Sequence, residues 1–400
     1  MAPLNLIPRK MQTAIREAFD SFPVITLCGP RQSGKTTLCR TEFPSLPYVN
    51  LEDFTTRQFA TEDPKGFLLQ YGGGAIIDEA QLVPSLFGQI QVIVDEDRFS
   101  GNDGRKFILT GSSNFAHHPD LRQSLAGRTG IFTLLPLSTS ELLEGGYDLP
   151  SVEDVIVAGG YPGVWTRGQA QRRQIIESYI DTYVERDVRR LMEVKDLHKF
   201  STFIRLCASR IGTELNKSSL AVEVGVSVPT VESWLSVLEA SFVIYLLPPW
   251  FANIGKRLVK SPKLYFCDTG VASNLLGINE ATQLVGHPSR GAMFENLVIN
   301  NVLKFGYNRG IKEILSFYRD KTGREIDLIR ETDGIIEAFE MKAGMTYHQD
   351  YFRHIAYLQG ILGDRLGRTG VVYTGDVEMI RPKDAVINYK KFPDNFKVQL

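Results

Sequence analysis

The chain has 400 residues, of which 43% are hydrophobic and 23% are charged. It is too long for a single hydrophobic core, and this length and composition predict about two to four globular domains of an ordinary soluble protein. The formal net charge of −1 argues against a globally basic nucleic-acid binder, although it is compatible with a local basic patch.

Three features of the sequence bear on the cellular compartment. The amino-terminal stretch lacks the continuous apolar segment of a signal peptide. No apolar run approaches the roughly 18 residues of a membrane span. The cysteines form no C-x-x-C pair and are typical of free thiols in a reducing compartment; they are Cys28, Cys39, Cys207 and Cys267. We therefore expect a cytoplasmic protein that does not contact a membrane.

The first chemically specific element is a strand, a loop and the start of a helix in residues 24–38, after a short amphipathic helix in residues 9–20. The loop matches G-x-x-x-x-G-K-[ST], whose backbone N–H groups cradle phosphates at a helix N-terminus. Lys35 is expected to reach the β- and γ-phosphates, and Thr36 to ligate Mg²⁺. A chance match is the alternative, but the strand and the helix supply the context that the motif requires. The predicted nucleotide-binding residues are Gly29, Pro30, Arg31, Gln32, Ser33, Gly34, Lys35, Thr36 and Thr37.

A second pair of candidate residues follows the apolar strand predicted at residues 75–78. A buried strand that ends in Asp-Glu is the Walker-B pattern, in which Asp78 would hold the Mg²⁺ shell and Glu79 would polarise the attacking water. Adjacent acids at a strand end also occur on solvated surfaces. The preceding phosphate loop and the apolar lead-in favour the functional interpretation.

The strand predicted at residues 106–109 ends in polar residues that include Ser112 and Asn114. Beside the Walker-B strand, either side chain would be placed to sense the γ-phosphate, and the sequence does not decide between them. An ordinary turn is the alternative, since Gly, Ser and Asn are turn residues. We favour the sensor interpretation.

Arg128 lies shortly beyond, ahead of a strand predicted at residues 131–135. An arginine there would neutralise transition-state charge, in cis or in trans, or it would pin a loop through a carboxylate. The sequence leaves these two roles equally open.

Together these motifs resemble the AAA-type P-loop ATPases. The stretches GPRQSGKTTL, IIDEAQ and ILTGSSN are similar to a branch often found in bacteria and archaea as single-chain ATPases with a carboxyl-terminal domain of uncharacterised function. The resemblance covers roughly residues 1–150 and implies a parallel sheet with helices on both faces and the nucleotide at the carboxyl ends of the strands. Residues 159–162 and 185–187 resemble the lid and linker of that family. Taken alone, residues 169–191 predict one long polar helix, with a basic cluster typical of a solvated face at Arg186, Arg189 and Arg190.

Residues 212–275 look like a winged helix. A helix, a Gly turn, a Ser cap and a second helix precede two short predicted strands. The second helix carries few cations, which is poor for phosphate contacts. A basic wing loop would supply the missing charge through Lys256, Arg257, Lys260 and Lys263. Winged helices also serve as protein-packing modules, so DNA contact and protein packing are equal alternatives.

In the last third of the chain, residues 325–329 and 335–342 predict a hairpin that follows a helix. One hairpin strand carries an aspartate and the other a Glu-x-Lys pair; residues two apart face one side of a strand, so these side chains are expected to meet. With a glutamate from the helix, the set resembles the PD-(D/E)xK nuclease-like fold, which implies carboxylates that hold Mg²⁺ and a lysine that activates water. A surface hairpin with ion pairs is the alternative, and the fold does not entail nuclease activity. The four residues are Glu295, Asp327, Glu340 and Lys342.

We therefore predict an α/β protein with a P-loop parallel-sheet ATPase domain, a helical and winged-helix region, and a carboxyl-terminal α/β PD-(D/E)xK-like domain. The expected domains are residues 1–145 (AAA-type ATPase), 146–211 (helical lid and linker), 212–275 (winged helix) and 276–400 (nuclease-like). The predicted function is Mg²⁺-dependent ATP binding and hydrolysis whose nucleotide state controls the carboxyl-terminal module, with ATP and Mg²⁺ as cofactors. The alternatives are an ATP-gated Mg²⁺-dependent DNA nuclease and a non-hydrolysing ATP-dependent switch that binds DNA or a protein. The partner, the pathway and the formation of a homo-oligomer stay open.

Overall fold

The computed structural model describes residues 6–101, 104–112, 124–168, 171–187, 196–250, 261–332 and 334–394. A five-stranded sheet comes first, followed by a helical region with a two-stranded hairpin and then by a six-stranded sheet. The expected α/β class is confirmed in its coarse outline: a unit built on a parallel sheet, a helical region and a carboxyl-terminal α/β unit with a mixed sheet.

Every pairing in the first sheet is parallel, and the strand order is β2-β3-β4-β1-β5. All positions of β1 and β3 are buried, as expected for apolar strands covered on both faces. The strands are β1 (Val24–Cys28), β2 (Tyr48–Asn50), β3 (Gly74–Asp78), β4 (Lys106–Gly111) and β5 (Thr129–Thr133). The helices are α1 (Gln12–Ser21), α2 (Lys35–Glu42), α3 (Phe54–Glu62), α4 (Pro64–Leu69) and α5 (Ser85–Ser100). This order places the carboxyl ends of β3, β4 and β1 side by side.

The helical region ends in a hairpin of β6 (Ile244–Leu247) and β7 (Lys263–Phe266). Its last two helices are bent by 105°. The second begins at the Ser cap that the sequence predicted, Ser227, and the first begins at another polar cap, Asn216. The expected long helix is α-helical only to Tyr179, and its described continuation, Ile180–Asp187, is π-helical. The helices are α6 (Thr139–Glu144), α7 (Val152–Ala158), α8 (Pro162–Thr166), α9 (Arg172–Tyr179), α10 (Leu197–Ser209), α11 (Lys217–Val224) and α12 (Val228–Ala240). The side chain of Arg186, and all of Arg189 and Arg190, lie outside the described residues.

The carboxyl-terminal sheet is mixed, with strand order β12-β13-β11-β10-β9-β8. Strands β10, β11 and β13 are parallel, and the remaining pairs are antiparallel. The strands are β8 (Ile314–Arg319), β9 (Glu325–Thr332), β10 (Ile335–Lys342), β11 (Leu366–Tyr373), β12 (Met379–Ile380) and β13 (Asp384–Asn388). The helices are α13 (Thr269–Leu275), α14 (Ala281–Val285), α15 (Arg290–Asn308) and α16 (Arg353–Leu362). The predicted hairpin is the β9–β10 pair.

Buried polar contacts join these regions. The Asp268 carboxylate, ahead of α13, accepts a hydrogen bond from the backbone N–H of Gly160 at 2.7 Å. The ammonium group of Lys304 in α15 donates to the carbonyl oxygen of Leu137 at 2.9 Å. The largest hydrophobic core extends from the helical region into the carboxyl-terminal sheet. These hydrogen bonds and the shared core connect the helical region, and the segment that follows β5, to the carboxyl-terminal part of the chain.

Among the described residues, no single helix has both the length and the apolar character needed to cross a membrane. Helices α11 and α12 meet that test by length and composition only when they are taken together as a bent pair.

Candidate functional site

Two glycines shape the phosphate loop between β1 and α2. Gly29 has φ +149° and Gly34 has φ +98°, backbone conformations that residues with a side chain rarely adopt. A Cβ atom on Gly29 would lie 2.2 Å from the carbonyl oxygen of Leu134. The loop approaches the chain beyond β5 too closely for any side chain at that position.

Lys35 opens α2 with its side chain buried under the loop. Its Nζ donates hydrogen bonds to the carbonyl oxygens of Gly29 and Pro30, both at 2.9 Å. Burial lowers the pKa of Lys35, and the nearby Glu79 and Asp78 offset this only in part. A bound phosphate would favour the charged ammonium group, because a nearby opposite charge raises the pKa of a lysine.

Asp78 is the shared hydrogen-bond acceptor of the site. Its Oδ2 accepts from the hydroxyls of Thr36 at 2.7 Å and Tyr48 at 2.8 Å. Its Oδ1 accepts from the hydroxyl of Thr110 and from the backbone N–H of Glu79 at 3.1 Å. Burial and the contact with Asp78 raise the pKa of Tyr48, which keeps that hydroxyl a donor. Hydroxyl and carboxylate oxygens are the hard ligands that Mg²⁺ prefers, so Thr36 and Asp78 fit this ion.

Glu79 has an unusual backbone conformation and a held carboxylate. Its φ of +54° is uncommon for a residue with a side chain, and such conformations cluster at functional sites. The Oε2 atom accepts from the Ser112 hydroxyl at 3.0 Å and from the side-chain amide of Gln81. Of the two sensor candidates, Ser112 thus contacts the Walker-B glutamate, whereas Asn114 lies outside the described residues.

These side chains face a cavity of about 510 Å³ that opens beside the phosphate loop. Arg31 closes part of its rim through an ion pair with Glu52 at 2.9 Å. Residues of the helical region complete the wall. The cavity is lined by Arg31, Gln32, Gly34, Lys35, Thr36, Thr37, Tyr48, Asn50, Glu52, Asp78, Glu79, Pro162, Thr182 and Tyr183. A larger cavity of about 890 Å³ lies away from the loop, between the amino-terminal residues and the β8–β9 edge.

Arg9 supports the phosphate loop from behind. Its guanidinium donates to the carbonyl oxygens of Ser33 and Leu135, both at 2.7 Å, and to Glu141 Oε1 at 2.9 Å. Arg9 is 7% exposed and Glu141 is fully buried. Burial opposes ionisation of Glu141, but Arg9 and the backbone N–H groups of Ser138 and Lys10 outweigh it and hold its pKa below the ordinary value. The Arg9–Glu141 ion pair therefore supports the phosphate loop from the protein interior, and the sequence analysis did not predict this pair.

The sequence analysis also missed three side chains of the site itself: Tyr48, Thr110 and Tyr183. Strands β2 and β4 flank β3, so polar residues on those strands can reach Asp78. Knowledge of this sheet order would have predicted the roles of Tyr48 and Thr110. The Tyr183 hydroxyl lies 3.0 Å from the carbonyl oxygens of both Ser112 and Ser241. No local pattern indicates Tyr183, because its partners are 71 and 58 residues away in the chain.

Arg128 contacts α5 and not the cavity. Its Nε and Nη2 atoms donate to the two carboxylate oxygens of Asp95, both at 2.7 Å. This bidentate contact holds the pKa of Asp95 below its ordinary value. In this conformation Arg128 pins its loop, which is one of the two roles that the sequence allowed. A role in catalysis, in cis or across a subunit boundary, stays a prediction.

The four residues predicted for a nuclease-like site converge where α15, β9 and β10 meet. Lys342 Nζ lies 2.6 Å from Glu340 Oε2 and 3.7 Å from Asp327 Oδ2. Burial, followed by the charge of Asp327, raises the pKa of Glu340 to about 8 and that of Glu295 to about 7. The side chains thus form one buried acidic cluster, which we call the acid cluster.

Two further residues, Lys263 and Glu325, belong to the acid cluster. Lys263 Nζ lies 2.9 Å from Glu295 Oε1 and 2.5 Å from Glu325 Oε1. The expectation that Lys263 supplies exposed wing charge is wrong: its side chain is 1% exposed, because β7 faces α15 and β9. The other expected wing cations, Lys256, Arg257 and Lys260, lie outside the described residues.

In this conformation the acid cluster does not fit a divalent cation. Among the residues that the structure describes, no group of three or more His, Cys, Asp or Glu side chains is arranged to hold a metal ion. The ammonium groups of Lys263 and Lys342 lie directly on the carboxylates that would serve as ligands. One carboxylate oxygen of the cluster, Glu340 Oε1, is nevertheless buried and has no hydrogen-bond partner within the described ranges.

Three family models match consecutive parts of the chain. Residues 21–143 match an AAA domain, in agreement with the phosphate loop and the parallel sheet. Residues 149–282 and 290–392 match two domains of unknown function, DUF8612 and DUF4143.

Among solved structures, partial similarity is found to the Walker-type ATPase paby2304 of Pyrococcus abyssi. It is 17% identical, with a TM-score of 0.46, and the match covers 68% of this chain and 96% of that one. The Orc1 protein of Aeropyrum pernix in complex with DNA is 13% identical, with a TM-score of 0.30 and coverage of 70% and 95%.

Two mycobacterial relatives match along nearly the whole chain. They are the uncharacterized proteins Rv2008c of Mycobacterium tuberculosis and Mb2031c of Mycobacterium bovis. Each is 31% identical over 379 residues, which is 93% of this chain and 81% of the relative. The chain therefore belongs to the same family as these mycobacterial proteins, with a P-loop ATPase domain of the AAA type in its first third.

Proposed function

We propose that this protein binds Mg²⁺·ATP at the phosphate loop and hydrolyses it. The observation that carries the proposal is the meeting of Lys35, Thr36 and Asp78 around one cavity, with Glu79 held beside them. A lysine and loop amides suit a polyphosphate, and the hydroxyl and carboxylate suit its metal ion. The AAA-domain match over residues 21–143 supports the same assignment.

Each side chain has a distinct role in this proposal. Lys35 would leave the loop carbonyls and donate to the β- and γ-phosphates. Thr36 and Asp78 would hold Mg²⁺, which when bound neutralises phosphate charge. Glu79 would orient the attacking water and accept its proton. Ser112 would keep the Glu79 carboxylate directed toward the γ-phosphate.

Calorimetry and turnover measurements test the two halves of the proposal. Titration of ATP with Mg²⁺ should show binding by the wild type, loss of binding by Lys35→Ala, and no change for Lys65→Ala, an exposed lysine of α4. Glu79→Gln should keep binding and lose turnover by about 10²- to 10⁴-fold. A folded wild type that takes up no ATP would reject the proposal. Tight binding without turnover would favour the non-hydrolysing switch.

We further propose that the chain divides into domains at residues 1–145, 146–211, 212–275 and 276–400. The nucleotide state of the first domain would control the arrangement of the other three. Tyr183 supports this link because it lines the nucleotide cavity and its hydroxyl lies 3.0 Å from the carbonyl oxygen of Ser241, directly after α12. The partner would be DNA or a protein. ATP turnover of the wild type, measured with and without DNA, tests DNA as the partner. Stimulation by DNA would connect the ATPase domain to the carboxyl-terminal half of the chain, and equal rates would give no support to DNA.

The second candidate function is phosphodiester cleavage by the acid cluster. Two observations favour it. The four predicted residues converge, and Glu340 Oε1 is buried with no hydrogen-bond partner in the part of the chain that the structure describes. Lys342→Ala should abolish DNA cleavage and keep ATP turnover, while Lys321→Ala, an exposed lysine in the turn after β8, should change neither. Cleavage that survives Lys342→Ala would exclude this site as its source.

A further inference from the structure

The acid cluster contains a cation that comes from another part of the chain. Lys263 stands on β7 of the helical region, whereas Glu295 belongs to α15 and Glu325 to β9. Its Nζ lies between the two carboxylates, 2.9 Å from one and 2.5 Å from the other. It also lies 5.3 Å from the ring centroid of Phe317, within the range of a cation–π contact.

A buried ammonium group is costly unless opposite charges compensate it. Burial alone would lower the pKa of Lys263, but Glu295, Asp327 and Glu325 outweigh burial and hold it above its ordinary value. The lysine therefore stays charged. Its positive charge lies between two carboxylates, an arrangement in which proteins otherwise hold divalent cations.

Carboxyl groups outnumber lysines in the acid cluster, and the raised pKa values of Glu340 and Glu295 allow protons to balance the difference. Lys342 contacts two carboxylates as Lys263 does. Arg319, at the exposed rim, lies 3.2 Å from Glu325 and 3.2 Å from Glu214, which is outside the cluster. The carboxylates that share these cations are Glu295, Glu325, Asp327 and Glu340.

Glu340 Oε1 is a buried oxygen of this cluster. Among the residues that the structure describes it has no hydrogen-bond partner, which is rare for a buried acceptor. His354 Nδ1 lies 3.5 Å from it, but this nitrogen faces the carbonyl oxygen of Glu325 at 2.8 Å. A cation that displaced a proton from this carboxyl group would give Glu340 Oε1 the partner that it lacks in the described structure.

We propose that Lys263 is an internal counter-cation that keeps the acid cluster closed to divalent metal ions, and that withdrawal of β7 opens a cation site at Glu295 and Glu325, beside Glu340. This deepens the second candidate function, on whose cluster it rests. The lysine is an autoinhibitory contact between the helical region and the carboxyl-terminal sheet.

A continuous set of contacts connects this lysine to the nucleotide cavity. Tyr183 lines the cavity and contacts Ser241 at the end of α12. Strand β6 begins three residues later and pairs with β7, with Leu247 opposite Lys263. A shift of α12 that follows nucleotide binding would therefore displace the strand that carries the lysine.

Mn²⁺ uptake by the nucleotide-free full chain, followed by electron paramagnetic resonance, tests the proposal. Lys263→Met removes the charge at similar length and should bind one Mn²⁺ more than the wild type, at least about tenfold more tightly. Lys263→Arg keeps the charge and should match the wild type, as should Lys217→Met, a partly exposed lysine of α11. Lys263→Met combined with Glu295→Gln should lose the gained ion, which separates it from any ion at the phosphate loop.

Equal Mn²⁺ uptake by folded Lys263→Met and the wild type would overturn the proposal. Should Lys263→Met fail to fold, amine acetylation of the wild type decides, with labelling read by mass spectrometry. Saturating Mn²⁺ together with ATP should increase labelling of Lys263 and leave Lys217 unchanged; continued protection of Lys263 under these conditions would overturn the proposal. Mn²⁺ uptake by Lys263→Met without DNA cleavage would reject the nuclease candidate and support the counter-cation.

Discussion

The site at the phosphate loop, which we call the phosphate site (Lys35, Thr36, Asp78 and Glu79), and the acid cluster both place lysines near carboxylates. They differ in the groups that each charged side chain contacts. In the phosphate site, Lys35 lies on loop carbonyl oxygens at 2.9 Å, while hydroxyl groups and one backbone N–H satisfy Asp78. In the acid cluster, the ammonium groups of Lys263 and Lys342 lie directly on carboxylates. The first arrangement leaves both charges available to a ligand and its metal ion. The second arrangement neutralises the charges internally.

The same residue types can therefore form either a prepared ligand site or a closed one. The decisive quantity is the partner of each charged group, because an ammonium–carboxylate contact must be broken before either group binds anything else. The neutral partners of Lys35 can be exchanged for phosphate at lower cost than the carboxylate partners of Lys263.

The largest expected effect concerns the buried pair behind the phosphate loop, where one cation meets one acid. Arg9→Met leaves the fully buried Glu141 without its cation and should reduce the free energy of unfolding by about 3–5 kcal/mol. Urea denaturation at neutral pH measures this change. Arg173→Met, which removes an exposed pair on α9, should cost less than about 1 kcal/mol.

This destabilisation should depend on pH. The pKa of Glu141 is lower in the folded protein than its ordinary value, so its contribution to stability is present above the ordinary pKa and is lost as the pH falls through the folded value. The difference between the wild type and Arg9→Met should therefore shrink on acidification. A difference that stays constant down to acidic pH would contradict a charge-based role for the pair.

Much of the phosphate site could be predicted from the sequence because its parts are local. The loop residues are contiguous, and two glycines with positive φ specify its shape. The meeting of Asp327, Glu340 and Lys342 also followed from the alternation of side chains along paired strands. These predictions needed only the neighbours of each residue in one strand, turn or hairpin.

The contacts that distinguish the two sites could not be predicted in this way. Lys263 and Glu295 are 32 residues apart, and Arg9 and Glu141 are 132 residues apart. Such pairs depend on how helices and sheets pack together, which no pattern within a single element specifies. For this reason Lys263 was expected at an exposed wing and is found in a buried cluster.

A pair of matched lysine substitutions sharpens the comparison. Lys342→Met leaves the buried Glu340 and its neighbour Asp327 without a shared cation, and should reduce the free energy of unfolding by about 1–3 kcal/mol, since Lys342 is partly exposed. Lys35→Met removes a buried charge that only carbonyl oxygens contact, and should change stability by less than about 1 kcal/mol without nucleotide. Equal losses in the free energy of unfolding, measured by urea denaturation, would contradict the difference that we infer between the charged contacts of the two sites.

Tyr48 offers a smaller test of the prepared site. Tyr48→Phe removes one of the hydroxyl donors to Asp78 and leaves the Thr36, Thr110 and Glu79 contacts in place. The Mg²⁺ concentration that half-saturates ATP turnover should shift by about two- to tenfold, as expected for one hydrogen bond. Tyr71→Phe is the matched control and should leave this concentration unchanged. A change in thermal stability alone would show that Tyr48 does not position Asp78.

The smallest expected effect concerns Arg128, whose bidentate contact with Asp95 is only partly buried. Arg128→Ala should lower ATP turnover by less than about tenfold, in contrast to the loss of about 10³- to 10⁵-fold that follows removal of an arginine finger. Asp95→Ala should have the same small effect, because either substitution frees the same loop. A thousandfold loss in Arg128→Ala, with full turnover in Asp95→Ala, would show that Arg128 leaves Asp95 to act on the phosphates. In that case, wild-type turnover per chain that rises with protein concentration would show that Arg128 acts across a subunit boundary. Wild-type turnover per chain that is independent of concentration would show that Arg128 acts in cis.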